Sequence, residues 1–395
     1  MIYIAVFILL LIPVIKYDIL AETGGEKIWI AVNFAALVLL AGLRYRVGGD
    51  TLMYMALFDE CPHLDELRYF DFENATYNPA WYVLNALCKS VSDSFAFFQI
   101  VHAVFVNSVF FWFFRKYCPM YYFSVIALYY FSYFGYFNME ILRESICVCF
   151  FILATDSLLS RHWLRYSLFC IMALLFHYSA AILFLLPFVY LFKRNLTVWA
   201  VFFFALTFVA MVLIDIPAIV MGFFHTDSNQ LYFLIEKYLD DQLNMFGMID
   251  VFIKFLPLIL ILFLYEKNSI KLEYNFLPLV LACAAIYGAS MKLGICIRFY
   301  NYLIPYMLIL IVNAFYRILS NLNFRAFQVS YGILGISLFF LLFNYTYYYV
   351  RDMSDVYPNT KFVQIFYPYH SVLNPVRDDH RENFLENYRD VAIMF

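Results

Sequence analysis

The chain has 395 residues, 65% of them hydrophobic and only 14% charged, which excludes a soluble globule of ordinary composition and marks a polytopic membrane protein. A net charge of −3, with Lys and Arg occurring singly or in pairs, excludes nucleic-acid binding, which needs a concentrated basic patch. The eight cysteines fall mostly inside apolar runs (Cys147, Cys149, Cys170, Cys283) and show no CxxC or zinc-like spacing, so neither a redox motif nor a metal site is expected.

In chain order, runs apolar enough to cross about 30 Å of hydrocarbon are expected near 1–15, 28–43, 94–114, 120–137, 144–159, 195–214, 247–265, 274–291, 299–316 and 326–350. The first lacks a basic leader and a cleavage site, and reads as a retained helix rather than a signal peptide. The run 166–192 reads differently, because as one helix its flanks Arg161/Arg165 and Lys193/Arg194 would lie on opposite faces, whereas positive flanks prefer the cytoplasm. A break at His177 gives two short limbs returning to one side, shielded by neighbouring helices. Lys16 and Lys27, Arg115 and Lys116, Arg161 and Arg165, Lys193 and Arg194, Lys267 and Lys271, and Arg317 and Arg325 then all lie inside. The segments 44–93, 138–143, 217–245 and 292–298, His177 and the tail after Arg351 lie outside.

Residues 44–93 carry eight acidic residues against four basic, and NPAWYVLNALCKSV (78–91) is expected as a helix lying at the interface. A second outer amphipathic helix is expected within 217–245, with Leu231, Leu234, Ile235 and Tyr238 on one face. The domain division is a membrane-embedded part, 1–350, and an extracytoplasmic tail, 351–395, in which Tyr369 and His370 are explained by a turn.

Four polar constellations interrupt this pattern, and an ionisable group inside a membrane costs enough, about 2.5–3.5 kcal/mol, that it faces a cavity and has a task. In GLRYRVGGDTLMY (42–54), Arg44 and Arg46 offer two cations, Gly48-Gly49 a close turn with exposed amides, and Asp50 a carboxylate. A helix end with a snorkelling Arg paired to Asp50 explains the same residues. In NMEILRES (138–145), Asn138 is expected to cap the fifth helix with Glu140 in its first turn. Arg143 then either forms a local ion pair with Glu140 or Glu144 or points into a cavity. His177, beside Tyr178 and Ser179, is an interhelical hydrogen-bonder or a proton-transfer group, while His102 is structural. In KLGICIRFYNYLIPY (292–306), Arg298, Asn301, Tyr302 and Pro305 share one helix face, as a basic-aromatic anchor or a binding surface. Together Arg44, Arg143 and Arg298 with an Asp and a His describe a pocket for an anion, and guanidinium groups suit the oxygens of a diphosphate.

The motifs GLRYRVGGDTLMY, NMEILRES, LFHYSA (175–180) and RFYNYLIPY (298–306), in this order, resemble the EpsG/Wzy-like family of exopolysaccharide, capsule and O-antigen polymerases over about residues 30–320. Glu144 departs from the family, which more often has Gln after the arginine, and the tail beyond about 350 matches least. The resemblance implies an all-α, GT-C-like membrane fold of about twelve helices, including a short broken hairpin near His177 and interfacial outer helices. It implies a glycosyltransferase of the bacterial inner membrane whose active site faces the outside. Donor and acceptor would be polyprenyl-diphosphate-linked oligosaccharides in the bilayer, undecaprenyl diphosphate being the expected carrier. A chain-length regulator would be a further partner, with no cofactor and no nucleic acid; a metal is unnecessary where arginines neutralise the diphosphate, though outer acids such as Asp50 could bind one.

In that expectation His177, Asp50 and Arg143 are catalytic, with His177 favoured as base, and Arg44, Arg46, Asn138, Glu140, Arg298 and Tyr302 bind substrate. A lipid-linked oligosaccharide flippase is the alternative, since it too wants a cationic cavity, though no pseudo-repeated halves are evident. A glycan acyltransferase lacks a recognisable acyl-donor site, and a scaffold would not need arginines on one face.

Overall fold

The structure, a computed structural model, describes residues 1–213, 245–266, 275–290, 293, 296–320 and 329–392. Among them every regular element is a helix, α, π or 3-10, and the extended chain forms isolated bridges only. The residues expected in a second outer amphipathic helix, Leu231 to Tyr238, lie outside the described residues, as do Lys267, Lys271 and Arg325.

Helices α1 (Ile2–Pro13), α2 (Glu26–Gly42), α5 (Phe95–Tyr117), α6 (Tyr122–Tyr129), α7 (Leu142–Leu159) and α8 (Trp163–Leu174) follow the expected apolar runs. Between α2 and α5 lie α3 (Thr51–Glu60) and α4 (Pro79–Val91). Pro79 opens α4, where its missing N–H costs nothing, and Pro119 ends α5 by forcing Cys118 out of helical geometry. Apolar side chains stay exposed in stripes at helical spacing, Ile4, Ile8 and Ile12 on α1 and Leu164, Leu168 and Ile171 on α8. Such stripes are the surface a lipid-facing helix presents.

Among the described residues two stretches, Ile2–Ile19 and Phe95–Tyr117, are long and apolar enough to cross a membrane. Two of the other expected runs are interrupted as helices. The run 120–137 turns π-helical after Tyr129, and 299–316 is cut at Tyr302–Leu303.

The described chain forms two compact units, Met1–Phe184 with Tyr349–Asn387, and Leu185–Tyr348 with Tyr388–Phe395. The tail beyond Val350 thus folds largely with the first unit. That unit has two ends of different chemistry. At one, Arg115 pairs with Glu26 at 3.3 Å, Lys116 and Tyr117 bind the Asp156 carboxylate, and Asp18 accepts from Ser124. At the other lie the 43–50 loop, Asn138 to Arg143 and the turn at His177. Helix α4 packs there too: Trp81, Tyr82 and Ala86 are buried, Val83, Leu87 and Val91 are exposed, and Lys89 donates to the Cys61 carbonyl at 2.7 Å.

The second unit contains α9 (Leu196–Leu213), α10 (Met245–Glu266), α11 (Leu279–Ser290), α12 (Cys296–Asn301), α13 (Ile304–Ser320) and most of α14 (Val329–Val350). Phe204 of α9 stacks on Phe255 of α10 with centroids 4.7 Å apart, and α11 lies against α9 at Gly288. A Cβ at Gly288 would overlap Thr207 Oγ1 and approach the Phe204 carbonyl oxygen at 2.5 Å, and that backbone cannot move aside. Gly288→Val should therefore cost about 1–3 kcal/mol by overpacking, read as a lowered melting temperature of the purified protein in detergent.

Candidate active site

The loop after α2 is built around Arg44. Its side chain is buried, with Nε donating to the Val47 carbonyl at 3.0 Å and Nη1 to that of Ala41. With its amide turned to match both atoms, Gln99 on α5 donates to Arg44 O at 3.0 Å and accepts from Arg44 Nε at 3.2 Å. Arg46 adopts a left-handed backbone, φ 55°, which costs a non-glycine residue about 1–2 kcal/mol. Its guanidinium forms a two-pronged pair with Glu382, one prong at 2.8 Å. Gly48, φ 113°, is required twice over, since a Cβ would also collide with the Met139 carbonyl oxygen. Gly49 lies beside Glu140, whose Cγ and Oε2 would be 3.4 Å from a Cβ there. Asp50, half-buried, then begins α3 without a side-chain cap.

The NMEILRES stretch departs from expectation. Residues Tyr130–Phe134 and Tyr136–Glu140 are wound as π-helix, which delays the break to Ile141, so α7 starts at Leu142. Asn138 is therefore no cap. It is buried between helices, donating to Tyr129 Oη at 2.7 Å and accepting from Asn107 Nδ2 at 2.8 Å. Glu140 precedes the helix, and Glu144 occupies its first turn instead.

Arg143, the second residue of α7, makes no ion pair among the described residues; its neighbours are aromatic. The guanidinium carbon lies 3.9 Å from the centre of the Tyr77 ring, a cation–π contact, and the buried Tyr54 is a neighbour on α3. Its Nε is buried and has no hydrogen-bond partner among the described residues. A cation is disfavoured by the positive end of a helix dipole, whereas an anion there would meet both the dipole and the guanidinium. His102, on α5, steadies this turn with Nε2 3.0 Å from the Leu142 carbonyl and from Ser145 Oγ.

His177 sits where the chain reverses. Tyr166 in α8 donates to the Leu183 carbonyl at 2.6 Å, so the 3-10 segment Tyr178–Phe184 runs back along α8. The reversal is fixed by α4, since Asn78 Nδ2 donates to Leu174 O at 2.9 Å and the Ala80 N–H to Leu175 O at 3.1 Å. Helices α7 and α8 are antiparallel, and Cys147 meets the Ala173 carbonyl at 3.1 Å. Arg143 is one turn before Cys147 and His177 one turn after Ala173, so both come to the same end. The Ser179 backbone N–H donates to His177 Nδ1 at 3.1 Å, with Ser179 Oγ at 2.7 Å. A backbone N–H can only donate, so Nδ1 is an acceptor and the neutral ring carries its proton on Nε2.

The first unit thus gathers Asp50, Glu140, Arg143 and His177 at one end, and Tyr54, Tyr77 and Ser179 join them. Tyr54 was legible inside the quoted motif, four residues after Asp50; Tyr77 carried no signal. Arg298 and Tyr302 belong to the second unit. Arg298 is half-buried on α12, and Tyr302 is fully buried in the turn before α13. The expected single helix face over 298–305 is broken there, because Pro305 has no N–H to continue α12 and instead opens α13. Among the described residues no cluster of three or more His, Cys, Asp or Glu side chains could hold a metal ion.

The family model described as "EpsG family" matches residues 27–370. Neither a curated protein nor a solved structure matches the chain.

Burial, reinforced by Asp50 and opposed by Arg351, pushes the Glu140 carboxyl from its usual 4.5 up to about 8. Folding therefore takes up a proton between those values. Stability linked to Glu140 is full below about 4.5 and is lost as the pH climbs through about 8. Glu140→Gln removes the titration, so its melting temperature relative to the parent should rise from about pH 5 to about pH 8; a constant difference would show that Glu140 ionises normally.

Proposed function

The chain belongs to the EpsG family, and on that premise we propose that it is a membrane polymerase that transfers a growing glycan from a polyprenyl-diphosphate carrier to a sugar hydroxyl of a second lipid-linked repeat unit, at the outer face of the bacterial inner membrane. Membership itself gives the broad statement: a membrane protein of polysaccharide biosynthesis, with a function of the polymerase type. The carrier, the acceptor and the facing are our extension of it. The observation that carries the extension is the convergence of Asp50, Glu140, Arg143 and His177 at the end of the first unit opposite its Arg115–Glu26 and Lys116–Asp156 pairs. Positive flanks prefer the cytoplasm, so the converging groups belong on the other side.

In this reading the acceptor hydroxyl oxygen bonds to the anomeric carbon of the donor while the bond from that carbon to the diphosphate breaks. The diphosphate leaves with the electron pair. Arg143 and the amino end of α7 hold the charge that grows on it, in surroundings of low dielectric constant where such contacts act strongly. We assign the base to Asp50 rather than His177. The proton-accepting nitrogen of His177 is engaged by Ser179, which leaves the ring an Nε2–H donor suited to the departing diphosphate. Glu140, protonated at neutral pH, already holds its own proton and cannot take another, so the proton from the acceptor hydroxyl rests on Asp50 until solvent removes it. Arg44, Arg46 and Asn138 are spent on carbonyls, Glu382 and neighbouring side chains, so they shape the site instead of binding substrate. Arg298 and Tyr302 carry no step in this reading.

The test is polymer formation by the purified protein in liposomes from lipid-linked repeat units, without nucleotide sugar. A ladder of glycan lengths is expected. Arg143→Ala should lower its rate roughly 10²-fold or more at normal membrane yield, with Arg143→Lys in between, because an ammonium cannot bind bidentately. Passage of the lipid across the bilayer without new glycosidic bonds would point to a flippase. Undiminished ladders from both Arg143→Ala and His177→Ala would remove the assignment.

A further inference from the structure

Residues 362–374 of the tail lie along the 43–48 loop. The Tyr45 N–H donates to His370 O at 2.8 Å, Val372 N–H to Leu43 O at 2.8 Å and Gly48 N–H to Ile365 O at 3.1 Å. Tyr369 Oη reaches the Leu40 carbonyl at 3.0 Å, and Tyr3 Oη on α1 reaches Phe366 O at 3.0 Å. Tyr369 and His370 are thus packing and pairing residues of the loop, beyond the local turn that the sequence suggested.

Behind this ribbon stands the last helix, α15 (Asp379–Ala392), two of whose side chains are buried although charged. Arg381 donates from Nε to Gln364 O at 3.0 Å, from Nη2 to Pro368 O and from Nη1 to Arg46 O at 3.4 Å, so one guanidinium fastens the ribbon to itself and to the loop. Glu382, its side chain 5% exposed, holds the Arg46 guanidinium and also receives Arg377 at 2.9 Å. Arg46 is the residue with the left-handed backbone, two positions before Gly48. Helix α15 lies beyond the family-matched region, which ends at 370.

We propose that Glu382 is a positioning residue. Through its pair with Arg46, α15 clamps the 43–50 loop in the conformation that lays Gly48 and Gly49 against Met139 and Glu140 and presents Asp50 beside them. The role rests on the polymerase reading, because positioning means positioning for that chemistry, but the clamp can be observed without it.

Glu382→Gln keeps the shape and removes the charge. In the full-length protein, amide hydrogen exchange at Tyr45, Gly48 and Val372 should speed up at least about tenfold, while α9 and α11 of the second unit stay unchanged and report that the chain is folded. In the liposome assay kcat should fall roughly 10–100-fold, as for a displacement of about 1 Å at the reacting groups, with KM within about twofold. Glu382→Asp, which keeps the charge on a shorter stem, should fall between parent and Glu382→Gln in both measurements. Unchanged exchange at 43–50 would overturn the clamp whatever the activity does. Faster exchange with unaltered kcat would overturn the positioning role. Faster exchange in a protein whose parent forms no polymer would locate the failure in the polymerase reading and leave the clamp standing.

Discussion

A guanidinium group taken out of water must find its hydrogen-bond partners in the protein, and the polar end of the first unit is organised by how each one does so. Arg44 spends its donors on backbone carbonyls at the end of α2, Arg381 on carbonyls of the tail and Arg46 on a carboxylate. Arg143 alone of these four is matched to aromatic rings, and its Nε lacks a partner among the described residues. A stacked cation at a helix amino end keeps its charge available to an anion. The division between arginines that hold the loop and the arginine that can receive a ligand follows from those partners.

The remaining architecture serves to bring distant segments to that end. The π-helical winding after Tyr129, held by Asn138 between Asn107 and Tyr129, sets where α7 begins and so where Arg143 points. The antiparallel packing of α7 on α8 brings His177 to the same end, and α4 closes the turn with Asn78. Gly48 permits the loop to touch Met139, the contact by which Asp50 becomes a neighbour of Glu140. Apart from Asn138 with Tyr129, these contacts join segments distant in sequence.

Much of this was legible in the residues. The apolar runs gave the helices, the flanking charges gave the reversal at His177, and the order of polar motifs gave the family. What periodicity cannot report is a change of helical pitch, so Asn138 read as a cap when it is an interior bridge. Arg44 and Arg143 were both expected to line one anion pocket, and their partners separate them. Pro305 marks the break in 298–305, which the spacing of Arg298, Asn301 and Tyr302 by itself does not register. The tail was the least legible, since a soluble composition says nothing of what it lies against. Glu382 and Arg381 read as ordinary charges on a polar helix.

The Arg46–Glu382 pair joins residues 336 positions apart. At the ribosome's pace of about 5–20 residues per second, Glu382 emerges on the order of tens of seconds after Arg46. A nascent chain therefore carries α2, the glycine turn and Asp50 into the bilayer long before the strap that seats them has been made. Until Glu382 has been made, the left-handed turn at Arg46 stands without the carboxylate that holds it.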